Sequence, residues 1–221
     1  DLQTSITTKV DVDSNEVGSL AIPSKILLDT LKNLPEQPIT LSLDLDTYSI
    51  ELISENGHYK LAGENATDFP KVPFVTSENA INIPSEVLIG AITNTIFAVS
   101  TDELRLAMTG IYLDTTPSST TFVATDGHRL VRVRRTDIVS EETKSVIIPK
   151  KALNLLKSSL PSSEMHVEVN LTETNAFFSY GSTQMICRLI DERYPDYENV
   201  IPTGNPNMLT INRTELLRSL K

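Results

Sequence analysis

The stretch best equipped for chemistry is Thr125-Asp126-Gly127-His128-Arg129-Leu130, a polar passage set between the apolar run Phe122-Val123-Ala124 and a return to alternation at Val131 and Val133. An imidazole two residues from a carboxylate suggests a general base with its orienting partner. Asp-Gly is equally a turn signal, because glycine takes a positive φ at no steric cost. Catalysis would need company, and the sequence holds no G-x-S-x-G elbow, no P-loop and no H-E-x-x-H. A metal would need further ligands, yet the other histidines, His58 and His166, lie in unrelated contexts. The lone Cys187 has apolar neighbours, a core setting rather than a nucleophile's, and a single cysteine forms no intramolecular disulfide, as in a reducing compartment. On the plainer reading, Asp126 caps a turn and His128 is a partly buried hydrogen-bonding residue. No catalytic group, no metal and no cofactor is expected.

The elements that must position this turn come from a repeat. Leu20 to Leu34, Ile81 to Thr95, Val146 to Leu160 and Leu209 to Lys221 read alike. Each has a short apolar strand, a start signal and then apolar residues at helical spacing. Pro23, Pro84 and Pro149 fall where a helix tolerates proline, in the first turn, while Asn212 with Glu215 makes a capping-box pattern in the fourth segment. Between helices the chain alternates with the strand period, as in Ile39, Leu41, Leu43 and Leu45, or Val167, Val169 and Leu171. The unit is therefore one strand, one helix and about three more strands, an α+β pattern of repeated β-α-β-β-β units. Proline-rich passages, Asp68 to Pro73 and Arg193 to Pro202, read as linkers and place boundaries near residues 75 and 205, so that the middle domain holds two units. Both ends of the sequence look cut.

The net charge of −10 argues, as a bulk number, against nucleic acid, whose affinity comes mainly from Lys and Arg against phosphates. The distribution argues otherwise. Lys25 and Lys32 share a face of the first helix opposite Leu27, Leu28, Leu31 and Leu34. Lys150 and Lys157 share a face of the third, with Lys151 beside them and Leu153, Leu156 and Leu160 opposite; Arg213 and Arg218 mark the fourth. The second helix, with Ser85, Glu86 and Asn94, is not basic, and the acids gather in strands and loops such as Asp44, Asp46, Glu51, Glu55, Asp102, Glu103, Glu141 and Glu142. Basic helices on an acidic protein can face a polyanion while the other surfaces repel it. The alternative is that these lysines form ordinary solvated faces. No apolar run approaches the roughly 18 residues of a membrane span and no signal peptide is evident, so a cytoplasmic protein is expected.

Ala124-Thr125-Asp126-Gly127-His128-Arg129-Leu130 resembles the middle-domain signature of the bacterial DNA sliding clamp family, the beta subunit of DNA polymerase III. The helix start Ile147-Ile148-Pro149-Lys150-Lys151, the run Arg193-Tyr194-Pro195-Asp196-Tyr197 and the Phe97 to Gly110 passage fall at that family's spacing. The resemblance implies a DNA clamp fold with two β-α-β-β-β units per domain. Residues 1–75 would be the C-terminal half of clamp domain I, 76–205 a complete domain II and 206–221 the start of domain III, a stretch that alone would not close a ring. It further implies a homodimeric ring around double-stranded DNA, with the helices lining the hole. Lys25, Lys32, Lys150, Lys151, Lys157, Arg213 and Arg218 would then face phosphates without reading bases. Partners would be the DNA polymerase III catalytic subunit, the clamp loader and other clamp-motif proteins such as repair enzymes, docking by short peptides in a hydrophobic pocket. Thr125, Gly127, His128, Arg129 and Leu130 would be its floor, Arg105 and Met108 one wall, Pro195 and Val200 another. Asp102 and Asn199 depart from the uncharged polar and basic residues that relatives often carry. Two rivals stand beside this reading: an enzyme working through His128 and Asp126, and a repeat-built interaction module with no nucleic-acid role.

Overall fold

The computed structural model describes residues 2–14, 16–73, 80–161 and 164–221; the boundary expected near residue 75 lies outside them. The chain separates into two compact units, Asp1–Thr76 with Gly181–Ile186, and Ser77–Tyr180 with Cys187–Lys221.

In the first unit, strand β1 (Thr4–Thr8) precedes β2 (Leu20–Ala21), helix α1 (Ser24–Lys32), β3 (Thr40–Asp44), β4 (Ser49–Ser54), β5 (Gly57–Ala62) and β6 (Glu64–Asn65). β3, β4 and β5 form an antiparallel meander, and β2 pairs with β6. The central strand buries Ile50 and Leu52, while Leu41 and Leu43 on β3 remain exposed. α1 does not bury the leucine face its pattern suggested: Leu28 and Leu31 are exposed and no residue of the helix is fully buried. Within this unit α1 packs against β5.

The second unit continues with β7 (Ile81–Pro84), α2 (Ser85–Thr95), β8 (Gly110–Thr115), β9 (Thr120–Thr125), β10 (Leu130–Arg135), β11 (Lys144–Pro149), α3 (Lys150–Ser159), β12 (His166–Leu171), β13 (Asn175–Tyr180), β14 (Thr183–Arg188) and α4 (Arg213–Ser219). β14 is divided between the two units. The two repeats exchange their opening strands. β7 opens the first but pairs with β12 of the second, and β11 opens the second but pairs with β8 of the first. One sheet thus runs β10-β9-β8-β11, while β7, β12 and β13 are successive neighbours in another. Neither repeat completes its sheet alone, which makes two repeats one packing unit.

Helices α2 and α3 pack on each other. They bury Leu88, Ala91 and Ile92 on one and Ala152, Leu153 and Leu156 on the other, and Leu160 is buried just beyond α3. Truncating such a leucine to alanine costs about 2–5 kcal/mol. Pro23, Pro84 and Pro149 stand one position ahead of the expected first turn, as N-caps with φ of −58°, −56° and −59° and extended ψ. The ring-locked φ suits that junction, and the missing N–H is not needed there. Ser85, grouped by its polarity with the exposed side of α2, is instead buried and donates to the Pro161 carbonyl at 2.7 Å. In the fourth segment Asn212 Oδ1 accepts from the Thr214 and Glu215 amides, but Leu209–Ile211 form no strand and Leu216 and Leu217 stay exposed.

Candidate functional site

The turn between β9 and β10 is fixed by its own side chains. Thr125 Oγ1 donates to the Arg129 carbonyl at 2.8 Å and accepts from the Gly127 amide at 3.1 Å. Asp126 Oδ1 accepts from the His128 and Arg129 amides at 3.0 and 3.1 Å, and its Oδ2 takes Arg129 Nε at 3.0 Å. Gly127 sits at φ +90°, a conformation costly for any residue with a Cβ. The His128 amide and then the Arg129 amide, with help from the Arg129 side chain, hold the Asp126 carboxyl down to about 2. Asp126 is therefore the turn cap that sequence suggested, engaged with backbone and Arg129 rather than orienting the His128 ring. His128 itself is exposed, not partly buried, because a turn tip this tight projects its side chains outward. The Arg129 guanidinium also lies over Phe97, 5.6 Å from the ring centroid.

Two further segments reach this turn. Met108 belongs to a 3-10 turn, Leu106–Thr109, whose Met108 amide donates to the Arg105 carbonyl and whose Met108 carbonyl accepts from the Ser100 amide, both at 2.9 Å. The passage after β14 is held by Tyr194. It was expected to be a linker, but Tyr194 is buried in a cluster with Val123 and Ile147 and stacks on Tyr112 at 4.7 Å between ring centroids. The Ile190 amide donates to the Ile147 carbonyl at 3.0 Å, extending the attachment. This aromatic anchor fastens the passage to the sheet, and Pro195 and Val200 line the same cavity as residues of the β9–β10 turn. Burial raises the Tyr194 hydroxyl to about 12.

These segments enclose a concavity of 340 Å³. Thr125, Gly127, His128, Arg129 and Leu130 line it from the turn, Met108 from one flank, and Pro195 and Val200 from the other. Asp196 and Tyr197 complete the lining; sequence reasoning quoted their run but did not assign them to the pocket. Arg105 is the exception. Its Nε is held by Asp102 Oδ2 at 2.8 Å, and its Nη1 lies 2.9 Å from where a Cβ on Gly127 would stand, so it backs the turn rather than lining the cavity. Asn199 donates to Asp196 Oδ2 at 2.6 Å. Apolar surface from Met108, Leu130, Pro195 and Val200 beside Arg129 and His128 donors suits an elongated ligand with apolar anchors and polar main chain.

A second groove, of 680 Å³, runs beside α3 and is lined by Lys150, Lys151, Asn154, Leu155 and Ser158 on the helix and by Ser100, Thr101, Glu103 and Thr109 opposite. Lys157 does not line it, and Lys150 and Lys157 are half-buried rather than fully exposed. Lys25 and Lys32 on α1, and Arg213 and Arg218 at α4, are exposed. Burial lifts the Cys187 thiol to about 12, so it stays protonated at neutral pH. Among the described residues no group of three or more His, Cys, Asp or Glu is placed to hold a metal, and no helix is long and apolar enough to cross a membrane.

Comparison with known proteins matches residues 82–196 to the central domain of the DNA polymerase III beta subunit and residues 1–73 to its N-terminal domain. The beta sliding clamp of Synechocystis sp. is 30% identical over 240 residues, covering 100% of this chain and 61% of the relative; that of Bacillus subtilis is 30% identical over 210, covering 95% and 55%. The crystal structure of the DNA polymerase sliding clamp from Bacillus subtilis superposes with a TM-score of 0.85 at 28% identity, covering 92% of this chain and 56% of that one. A sliding clamp from Bartonella birtlesii bound to griselimycin gives 0.84 at 31%, covering 93% and 56%. The chain thus spans little more than half the length of these relatives. On the match of its central segment, with the clamp architecture of paired β-α-β-β-β repeats, the chain belongs to the family of the DNA polymerase III beta subunit, the beta sliding clamps.

Proposed function

We propose that this chain is part of a DNA polymerase processivity factor, a homodimeric ring that encircles duplex DNA without sequence specificity, acts in the cytoplasm and carries out no catalysis. Residues 76–205 serve as its central domain, with 1–75 and 206–221 belonging to the domains on either side. The pocket at Met108, Leu130 and Val200 receives short hydrophobic peptides from the polymerase III catalytic subunit, the clamp loader and repair proteins. Lys25, Lys32, Lys150, Lys151, Lys157, Arg213 and Arg218 face the DNA as an unspecific positive wall, phosphate contacts giving affinity without base readout. One observation carries the reading: three segments distant in sequence, around Met108, Gly127 to Leu130 and Pro195 to Val200, converge on one apolar concavity. A single clamp surface serving many partners needs adaptable apolar contacts, which Met108 supplies.

The test uses the full-length protein loaded on nicked circular DNA. A topological clamp stays on the circle and leaves when the DNA is linearised; retention on linear DNA, or none on the circle, refutes encirclement. Griselimycin, bound by the Bartonella birtlesii relative, provides a pocket probe: titration should perturb Met108 and Leu130 and should fail with Leu130→Lys.

A further inference from the structure

Beside the pocket lies another concavity, of 560 Å³, and the two share Pro195, Asp196 and Tyr197 in their linings. Where the first is apolar, this one combines aromatic rings with carboxylates. Tyr112 on β8 stacks on Tyr194 at 4.7 Å between ring centroids, and Tyr197 tilts against Tyr112 at 6.0 Å and meets Tyr194 edge-on at 6.5 Å. Tyr112 and Tyr197 are half-buried, so part of each ring is left for a ligand. Strand alternation puts Asp114 on the same face as Tyr112. Glu192, Asp196 and Glu198 join it in the lining, against one cation there, Arg193. Asp114 accepts from the Ser145 hydroxyl at 2.7 Å and Asp196 from Asn199 at 2.6 Å, neutral donors that orient the carboxylates and leave their charge. Glu198 is partly answered by Arg132 at 3.7 Å. Burial, and after it the Glu198 and Asp114 charges, push the Tyr197 hydroxyl's pKa up, with Arg132 pulling the other way, as a negative local field would. Such a lining repels anions and favours a guanidinium or ammonium group, which gains from ring faces and carboxylates together.

We propose that this concavity is a cation subsite of the peptide pocket: it takes a Lys or Arg side chain next to the apolar anchors, held by the Tyr112 and Tyr197 rings and the Asp114 and Glu192 carboxylates. The proposal rests on the peptide-pocket reading above. Continuity selects the occupant, because Asp196 and Tyr197 form a wall common to both concavities, and a long side chain beside an anchor has only that wall to cross. Partners with similar apolar anchors would then be ranked by the charge flanking them.

The experiment is calorimetric titration of the full-length protein with capped synthetic peptides that share leucine and phenylalanine anchors. They differ only beside the anchors: glutamine on both flanks, arginine on the N-terminal flank, or arginine on the C-terminal flank. One arginine peptide should bind about three- to tenfold tighter than the glutamine peptide at low salt, the scale of a cation–π contact with an exposed ion pair, and the gain should shrink as salt rises. Asp114→Asn with Glu192→Gln should cut that gain below about twofold and leave the glutamine peptide's affinity unchanged, Asn still offering Ser145 an acceptor. Glu86→Gln with Glu173→Gln removes as much charge from positions lining neither concavity, and should leave the gain whole. The proposal is overturned by no gain from either arginine, by a gain that survives Asp114→Asn with Glu192→Gln, or by one lost equally with Glu86→Gln and Glu173→Gln. Leu130→Lys titrated with the glutamine peptide tests the pocket separately. Undiminished binding there overturns the pocket reading and the subsite with it; lost binding there, with no arginine gain in the parent protein, overturns the subsite alone.

Discussion

Tyr194→Ala tests whether the pocket depends on an anchor outside it. Tyr194 is 8% exposed and packs against Val123, Ile147 and the Tyr112 ring. Truncating a buried aromatic costs about 3–5 kcal/mol when the cavity cannot collapse. Here Tyr112 and Tyr197 are only half-buried, so water can enter and the passage can lift away rather than leave a void, and the loss should be about 2–3 kcal/mol. That is enough to undock the Pro195 to Val200 flank for much of the time. If only about a tenth of molecules keep it docked, peptide affinity falls about tenfold, since apparent affinity scales with the competent fraction. Tyr194→Phe is the control, for the hydroxyl donates to the Val123 carbonyl at 3.5 Å, the long limit of such a bond. Its removal should cost less than about 1 kcal/mol with the ring stack retained. Urea denaturation gives the stability change and calorimetric titration the affinity. The reasoning is refuted if Tyr194→Ala binds peptide normally, or if Tyr194→Phe is as damaging as Tyr194→Ala.

Leu130→Lys should abolish peptide binding while leaving DNA retention unchanged, because pocket and basic helices are different surfaces; loss of both on the nicked-circle assay would contradict that separation. Replacing Lys150, Lys151 and Lys157 by alanine should weaken DNA retention and flatten its salt dependence by about 0.9 in the logarithmic slope for each phosphate no longer neutralised, and an unchanged slope would remove this helix from the interface. Asp126 is held at about 2 against an ordinary 3.8, so its folded pKa is depressed: the stabilisation it gives the turn is complete above pH 4 and is lost as pH falls through about 2. A carboxyl NMR titration finding Asp126 at 3.8 or above would show that the amides do not engage it.

What sequence made legible follows from which interactions are local. The β9–β10 turn needs only Thr125, Asp126 and Gly127 to close, so its motif was readable without any tertiary knowledge, and the α3 leucine stripe predicted Leu153, Leu156 and Leu160 as buried because one sheet face lies opposite it. Long-range effects were not legible. Arg193 to Tyr197 has the prolines and charges of a linker, yet one buried ring overrides that composition, and nothing in the run itself says that Tyr112 lies across from it. Arg105 was expected at the cavity wall from the family resemblance, but the ion pair with Asp102 turns it to the back of Gly127.

The exchange of β7 and β11 explains how α3 closes its apolar face. Helices α1 and α3 have the same apolar spacing and similar lysines, yet α3 buries Ala152, Leu153 and Leu156 while α1 fully buries nothing. Pattern specifies which face seeks cover; cover itself depends on a second repeat supplying a strand and a helix. Within residues 81–188 each repeat supplies both to the other, so the hydrophobic faces close and the β9–β10 turn is mounted on a sheet with a filled core. A site requiring a rigid base is expected where two repeats have exchanged strands, which is where the pocket lies.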